Sequence, residues 1–307
     1  MVRQDPPGVD EARLLPEPFW TADRASVQGR RLTVRWYRGQ IVLLVVAAVI
    51  AAVPGPAHSG DSDIAPLFSV AAFVVAGYCW YRLRQGNPQR RWHEARAAAE
   101  SVKALAWKYT VRARPFEGEA ESAETDQEYL RQVGEVLLAF EDAVVLPPDA
   151  VPGITEEMRR LRAAGLSARR GLYLRSRVEG QRNWYRDRAA AYESQSVSWG
   201  LGTAALIIVG GAAAVAQATG ALSVHLFGTC AAAAAAIIAW TQLTQLRPLA
   251  TTYRLAAREL DLVRQRLSDL TLTGPDAETR WSELSADAED AVSREHTTWR
   301  AKRAFPR

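Results

Sequence analysis

Charge is absent from three long stretches of this chain: no Asp, Glu, Lys or Arg occurs from Gly39 to Gly60, from Ile64 to Tyr81, or from Ser194 to Leu246. Those stretches hold most of the apolar side chains. A helix that crosses a bilayer needs roughly 20 mostly apolar residues, because each adds about 1.5 Å against a hydrocarbon core about 30 Å thick. Residues 39–57, 64–81, 197–216 and 222–243 meet that requirement, so an integral membrane protein with four spanning helices is expected. Bulk composition hides this, since 48% hydrophobic and 23% charged residues are the proportions of an ordinary soluble protein. The first span is the weakest, because Pro54 and Pro56 limit how far its helix runs. The polar leader up to Gln40 contains Asp5, Asp10, Glu11, Glu17 and Asp23, too long and too acidic for the start of a cleaved signal peptide.

Flanking charge sets the direction of the spans, because Lys and Arg stay on the cytoplasmic side. Arg30, Arg31, Arg35 and Arg38 precede the first span, and Arg82, Arg84, Arg90 and Arg91 follow the second. Arg182, Arg186 and Arg188 precede the third, and Arg247, Arg254 and Arg258 follow the fourth. The connections 54–63 and 215–224 contain no Lys or Arg. Both hairpin tips are therefore expected outside and both termini in the cytoplasm. Trp-Tyr-Arg occurs at Trp36, Trp80 and Trp184, twice beside a span on its basic side, where interfacial aromatics and a snorkelling Arg belong.

The two halves repeat. After the second span, Trp92, Ala95, Ala99, Val102, Ala106 and Tyr109 fall on one face of a helix. After the fourth, Tyr253, Ala256, Leu260, Val263, Leu267 and Leu270 do the same, each at an offset of 161 residues. The same offset maps the first hairpin onto the second, as gene duplication would leave it. Pro88 and Pro248 mark where each membrane helix breaks before a cytoplasmic helix begins. The fold expected is all-α: two duplicated hairpins and a cytoplasmic helical bundle.

Further helix signals fill the rest. Thr125-Asp126-Gln127-Glu128 reads as a capping box leading into Tyr129, Val133, Val136, Leu137 and Phe140 on one face. Thr155 followed by Glu156 and Glu157 starts another helix. Pro is absent from 153 to 247, so one long helix is expected from about Ser167 through Trp184 into the third span. Gly274-Pro275 precedes a final helix over about 276–302. Residues 1–19 read as a flexible tail, 20–116 as the first two-span unit, 117–155 as a helical connector, 156–302 as the second unit and 303–307 as a tail.

Catalytic chemistry is not encoded in recognisable form. Gly200-Leu201-Gly202-Thr203-Ala204-Ala205 matches a dinucleotide fingerprint as text, but no strand precedes it, and small residues in a spanning helix signify close helix packing. Gly202, Gly210, Gly228, Ala232 and Ala236 are the packing candidates. Ser293, Glu295 and His296 are neighbours on a helix and cannot converge as a triad. His225, at the outer end of a span, fits a solvated interface. No metal site, cofactor or enzymatic activity is expected. Cys79 and Cys230 lie in apolar spans, where they act as small apolar side chains. The pI near 9.2 reflects Arg beside the spans and not a basic stripe with interleaved aromatics, so nucleic acid is not expected as a partner. Spans without buried charge also argue against an ion-coupled carrier.

With the helices placed, the cytoplasmic segments resemble the SLATT family, the SMODS- and SLOG-associating two-transmembrane effector domains, in a form with two units in tandem. The first unit's likeness lies in residues 99–109, which include Lys103 and Trp107, with Pro115-Phe116. The second unit's lies in Arg170, Tyr173, Arg177, Gln181 and Trp184-Tyr185, and in residues 291–299 with Arg294, Glu295, His296 and Trp299. The resemblance implies a bacterial membrane effector of conflict or antiphage systems, one that perturbs the membrane when a nucleotide-linked sensor fires. No SMODS or SLOG domain is recognisable in the chain, so any sensor would be a separate protein, or absent. The partners expected are the lipid bilayer, further copies of the chain and that sensor. A passive membrane scaffold or receptor is the alternative. Trp107 lies off the apolar stripe of its helix, four residues after Lys103, and so needs a second packing surface or a cation contact.

Overall fold

A computed structural model describes residues 9–52, 65–119, 121–145, 153–221, 226–271 and 273–303, and among them all regular structure is helical. In chain order the helices are α1 (Val9–Leu14), α2 (Glu17–Ala52), α3 (Ala65–Gly86), α4 (Pro88–Val111), α5 (Ala123–Ala139), α6 (Glu156–Ala163) and α7 (Leu166–Leu172). A π-helical segment, Tyr173–Glu179, follows, then α8 (Gly180–Ala218), α9 (Leu226–Thr244), α10 (Leu246–Asp269) and α11 (Ala277–Arg303). The chain divides into two compact units. One comprises Met1–Gly29, Gln89–Asp187 and Tyr253–Arg307; the other comprises Arg30–Pro88 and Arg188–Thr252. Each unit therefore draws on both halves of the sequence.

In the first unit the stripe of α4 is buried as its spacing implies: Ala95, Ala99, Val102, Ala106 and Tyr109 are all at most 1% exposed. On α10, Leu260 and Leu267 are buried, with Tyr253, Ala256 and Val263, and Leu270 just past its end, packed at the margin. Where α2 crosses α4, a Cβ on Gly29 would stand 3.1 Å from Trp92 Cβ, so a hydrogen there is what the close approach requires. Two of the sequence expectations are corrected in this unit. The flexible tail expected over 1–19 is helix from Val9 onward, broken around Leu15-Pro16, with Leu14, Leu15 and Phe19 buried. Residues 1–8 lie outside the described residues. The capping box expected at Thr125 is not the start of α5: Ser122 is the N-cap, its side chain accepting from Thr125 N, which leaves Glu124 and Asp126 in the first turn. The acidic side chains still favour the helix start, but one turn earlier. Thr155 does cap α6, accepting from Met158 N at 3.1 Å, while its hydroxyl donates to Leu14 O at 3.0 Å.

The helix expected from about Ser167 into the third span is present, running without interruption over Leu166–Ala218, but part of it is π-helical. The breaks at the two prolines are also built alike. Asn87, with φ 40°, separates α3 from α4, and Gln245, with φ 49°, separates α9 from α10. Both are left-handed turns of a non-glycine residue, and both helices that follow are 24 residues long.

The second unit exposes large apolar side chains. On α8, Leu201, Ile207, Ile208, Val209 and Val215 are more than half exposed, as are Leu67, Phe68 and Phe73 on α3. Among the described residues three helical runs are long and apolar enough to cross a membrane: Glu17–Ile50, Leu166–Ala218 and Leu226–Asp269. The second expected span forms helix as α3, but Arg82 and Arg84 fall within its 22 residues, and it is not among those three. The connection 54–63 lies outside the described residues, as do 222–225. Small residues bring α8 and α9 together, since a Cβ on Gly210 would meet Cys230 Cβ at 2.9 Å. Gly202 would meet only Ile237 Cδ1 at 3.9 Å, and Gly228 nothing within 4 Å. Ala232 and Ala236 are half-buried, beside the buried Ala234. Within this unit the Arg38 guanidinium lies 5.1 Å from the Trp240 ring, and Arg247 Nε donates to Ser196 Oγ at 2.9 Å.

Candidate functional site

The end of α4 gathers an unusual set of side chains. A helix leaves its last carbonyls without intrahelical donors and with partial negative charge. Here buried cations meet them. Arg162 Nη1 donates to Tyr109 O at 2.8 Å and to Phe116 O at 2.9 Å, and Arg169 Nη1 donates to Val111 O at 2.9 Å. Trp281 Nε1 adds a bond to Val111 O at 2.7 Å. Arg162 and Arg169 are at most 1% exposed. The Arg162 guanidinium also lies 4.7 Å from the Tyr109 ring centroid, and burial pushes its pKa below the usual Arg value. Arg169 Nη2 reaches a carboxylate, Glu278, at 2.5 Å.

Next to it lies a fully buried ion pair. Arg177 Nε donates to Glu289 Oε1 and Nη2 to Oε2, both at 2.9 Å, and Tyr173 Oη donates to Glu289 Oε1 at 2.8 Å. The Arg177 and Glu289 side chains are 1% and 0% exposed. Burial, and then the Glu289 charge, push the Tyr173 phenol well above its usual pKa, so it stays a donor. Tyr173 and Arg177 both come from the π-helical segment, a departure from α geometry that is frequent at functional positions. Tyr173 stands edge-on to Trp107 at 5.8 Å and to Trp281 at 5.9 Å. The second surface that Trp107 requires is therefore Tyr173 of the same chain, while the cation of Lys103 lies over Phe19, 5.9 Å from its centroid.

The other residues singled out in the sequence lie apart from this cluster. Gln181 is half-buried, and Trp184 packs with Tyr185 and Tyr253 at ring separations of 5.2 to 5.5 Å. Arg186 pairs with Asp261 at 2.7 Å. Arg294, Glu295, His296 and Trp299 lie on the backbone of α11, but their side chains are outside the described residues. The dinucleotide-like Gly200–Ala205 segment lies within α8, with no strand or turn before it. Arg162, Arg169, Trp281 and Glu289 do not stand out in the sequence. Glu289 carries a signal all the same: it interrupts a stripe of Trp281, Ser285, Ala288 and Val292 on α11, and an acid inside such a stripe needs a buried cation.

What this arrangement does chemically is hold elements together. It ties α4, α6, α7, the π-helical segment and α11 through groups that cannot be parted without leaving charge buried.

Comparison with known proteins bears on both halves. Residues 16–170 match the model of SMODS and SLOG-associating 2TM effector domain 3, and residues 173–299 match that of SMODS and SLOG-associating 2TM effector domain 1. No curated protein and no solved structure matches the chain. The boundary between the matched regions falls between Arg170 and Tyr173, where α7 gives way to the π-helical segment. Two matches in tandem, together with long apolar helices, make this an all-α, multi-pass membrane protein with the role of a membrane effector. The chain belongs to the SLATT family and carries two of its SMODS and SLOG-associating 2TM effector domains in succession.

Proposed function

We propose that this effector resides in a bacterial inner membrane, oligomerises there and permeabilises the bilayer when its cytoplasmic helices are triggered, as a non-enzymatic arm of a conflict or antiphage system. Four spans form two hairpins, with α3 as the second span, both tips outside and both termini in the cytoplasm. The first unit is the cytoplasmic bundle. A separate sensor protein delivers the trigger.

The observation that supports this most is the apolar surface of α8, where Leu201, Ile207, Ile208, Val209 and Val215, spread over more than one side of the helix, stay exposed in a stretch, 194–246, without a single charge. Such a surface is stable against lipid or against other apolar helices, and costly against water. Spans without buried charge do not suit an ion-coupled carrier, whereas a pore formed by several copies can be lined by Ser, Thr and backbone. Expression of the chain with the products of its neighbouring genes, in cells loaded with a membrane-potential dye, tests the reading. Loss of polarisation and arrest of growth are expected on triggering. Unchanged polarisation, with a soluble partner captured by crosslinking, would instead establish a passive scaffold or receptor.

A further inference from the structure

Helix α10 has a second apolar stripe that the core does not use. Ala257, Leu260 and Leu267 point into the first unit, whereas Leu255 and Leu262 are 58% and 57% exposed. They stand seven residues apart, the spacing that repeats one face of a helix pair. Arg258 and Glu259, both exposed, lie between the two leucines along the axis. At about 100° per residue, Arg258 stands about 50° to one side of the leucine line and Glu259 about 50° to the other. About one turn further on, the exposed Arg266 lies on the Glu259 side and the exposed Asp269 on the Arg258 side. Each flank thus carries one acid and one base, in opposite order.

That order fits one kind of partner. When two copies of a helix pack in parallel about a shared axis, the right flank of one faces the left flank of the other. Glu259 then meets the partner's Arg258, Arg266 meets the partner's Asp269, and each leucine meets its own copy. In an antiparallel pair like flanks meet, which sets Glu259 against the partner's Glu259. We propose that this face of α10 is where two copies of the chain pair, in parallel and in register. The inference rests on the reading above that the protein oligomerises in the membrane, and it names the surface. Confinement to one bilayer raises the copies' effective concentration, so a contact of two leucine layers and flanking ion pairs suffices.

The test uses the full chain in native membranes, with Cys79→Ser and Cys230→Ser to remove its own thiols. Leu255→Cys in that background is expected to form a disulfide-linked dimer on mild oxidation, and so is Leu262→Cys. Glu259→Arg or Arg258→Glu alone should lower the yield about tenfold, the effect of like charges at an interface. Co-expression of the Arg258→Glu chain with the Glu259→Arg chain should restore it, because each acid then faces a base. A loss of folding would not be rescued in that way. When the Leu255→Cys and Leu262→Cys chains are co-expressed, disulfides that join one variant to the other in preference to its own kind would overturn the proposal. Yields indifferent to both charge reversals would overturn it as well. If the chain is oligomeric in nanodiscs by mass photometry but Leu255→Cys forms no dimer, this surface is wrong and the effector reading stands. If it is monomeric there, the assembly reading fails as well.

Discussion

Arg177 and Glu289, 112 residues apart in sequence, meet through two parallel hydrogen bonds of 2.9 Å with almost no exposure to solvent. A bidentate pair of this kind is geometrically exacting. Its removal is also asymmetric, because taking away one partner strands the other in a medium that cannot solvate it.

Arg177→Ala and Glu289→Ala are each expected to destabilise the detergent-solubilised protein by about 3–5 kcal/mol, measured as a fall in the thermal midpoint. The double replacement Arg177→Met with Glu289→Leu should recover much of that loss. A residual cost of about 1–3 kcal/mol is expected from the Tyr173 hydroxyl, which loses its acceptor.

Trp107 is buried between helices, with its ring edge-on to Tyr173. Trp107→Ala should cost about 3–5 kcal/mol through the cavity it leaves. Lys103→Ala, which removes a cation over Phe19 at 5.9 Å and opens no comparable cavity, should cost less than Trp107→Ala. Parallel melts of the two variants check the ranking.

His93 stacks on Trp92 at 4.5 Å, and burial lowers its pKa below 6.5. The unfolded chain then binds a proton more readily than the folded one, so stability rises with pH across that window. Acidification below about 6.5 should therefore lower the melting midpoint, and His93→Gln should flatten that slope. Glu128, held at about 2 by its hydrogen bonds to Arg131 and Gln132, contributes only in the more acidic range below a normal carboxylate, so the two effects separate.

Between α8 and α9 the contact at Gly210 leaves no room, because the obstructing atom is Cys230 Cβ and not the end of a flexible side chain. Gly210→Leu should destabilise by about 1–3 kcal/mol. Gly228→Ala, which meets nothing within 4 Å, should be close to neutral.

Much of the fold is legible in the sequence because its signals are local. Long apolar helices show as runs without charge, the α4 stripe as spacing from Ala95 to Tyr109, and the α6 start as Thr155 before two acids. The buried cluster is legible by half. Arg177, Tyr173 and Trp107 stand out through family likeness, but the contacts that join them to each other and to Glu289 are tertiary and no spacing rule encodes them. Arg162 and Arg169 do not stand out, because nothing local reveals that the carbonyls ending α4 lie within their reach. The start of α5 lies three residues before the Thr125 box because the backbone turns extended at Ser122, whose hydroxyl accepts from Thr125 N, and the spacing of Thr125 and Glu128 does not reveal that turn.

Labelling of single cysteines with a membrane-impermeant thiol reagent in intact cells tests most directly that these helices cross a bilayer in two hairpins. In a chain lacking Cys79 and Cys230, Ser59→Cys and Ala221→Cys should label from outside, and Gly165→Cys only after the membrane is permeabilised. Shielding of Ser59→Cys and Ala221→Cys in intact cells, or recovery of the chain in the soluble fraction without detergent, would contradict it.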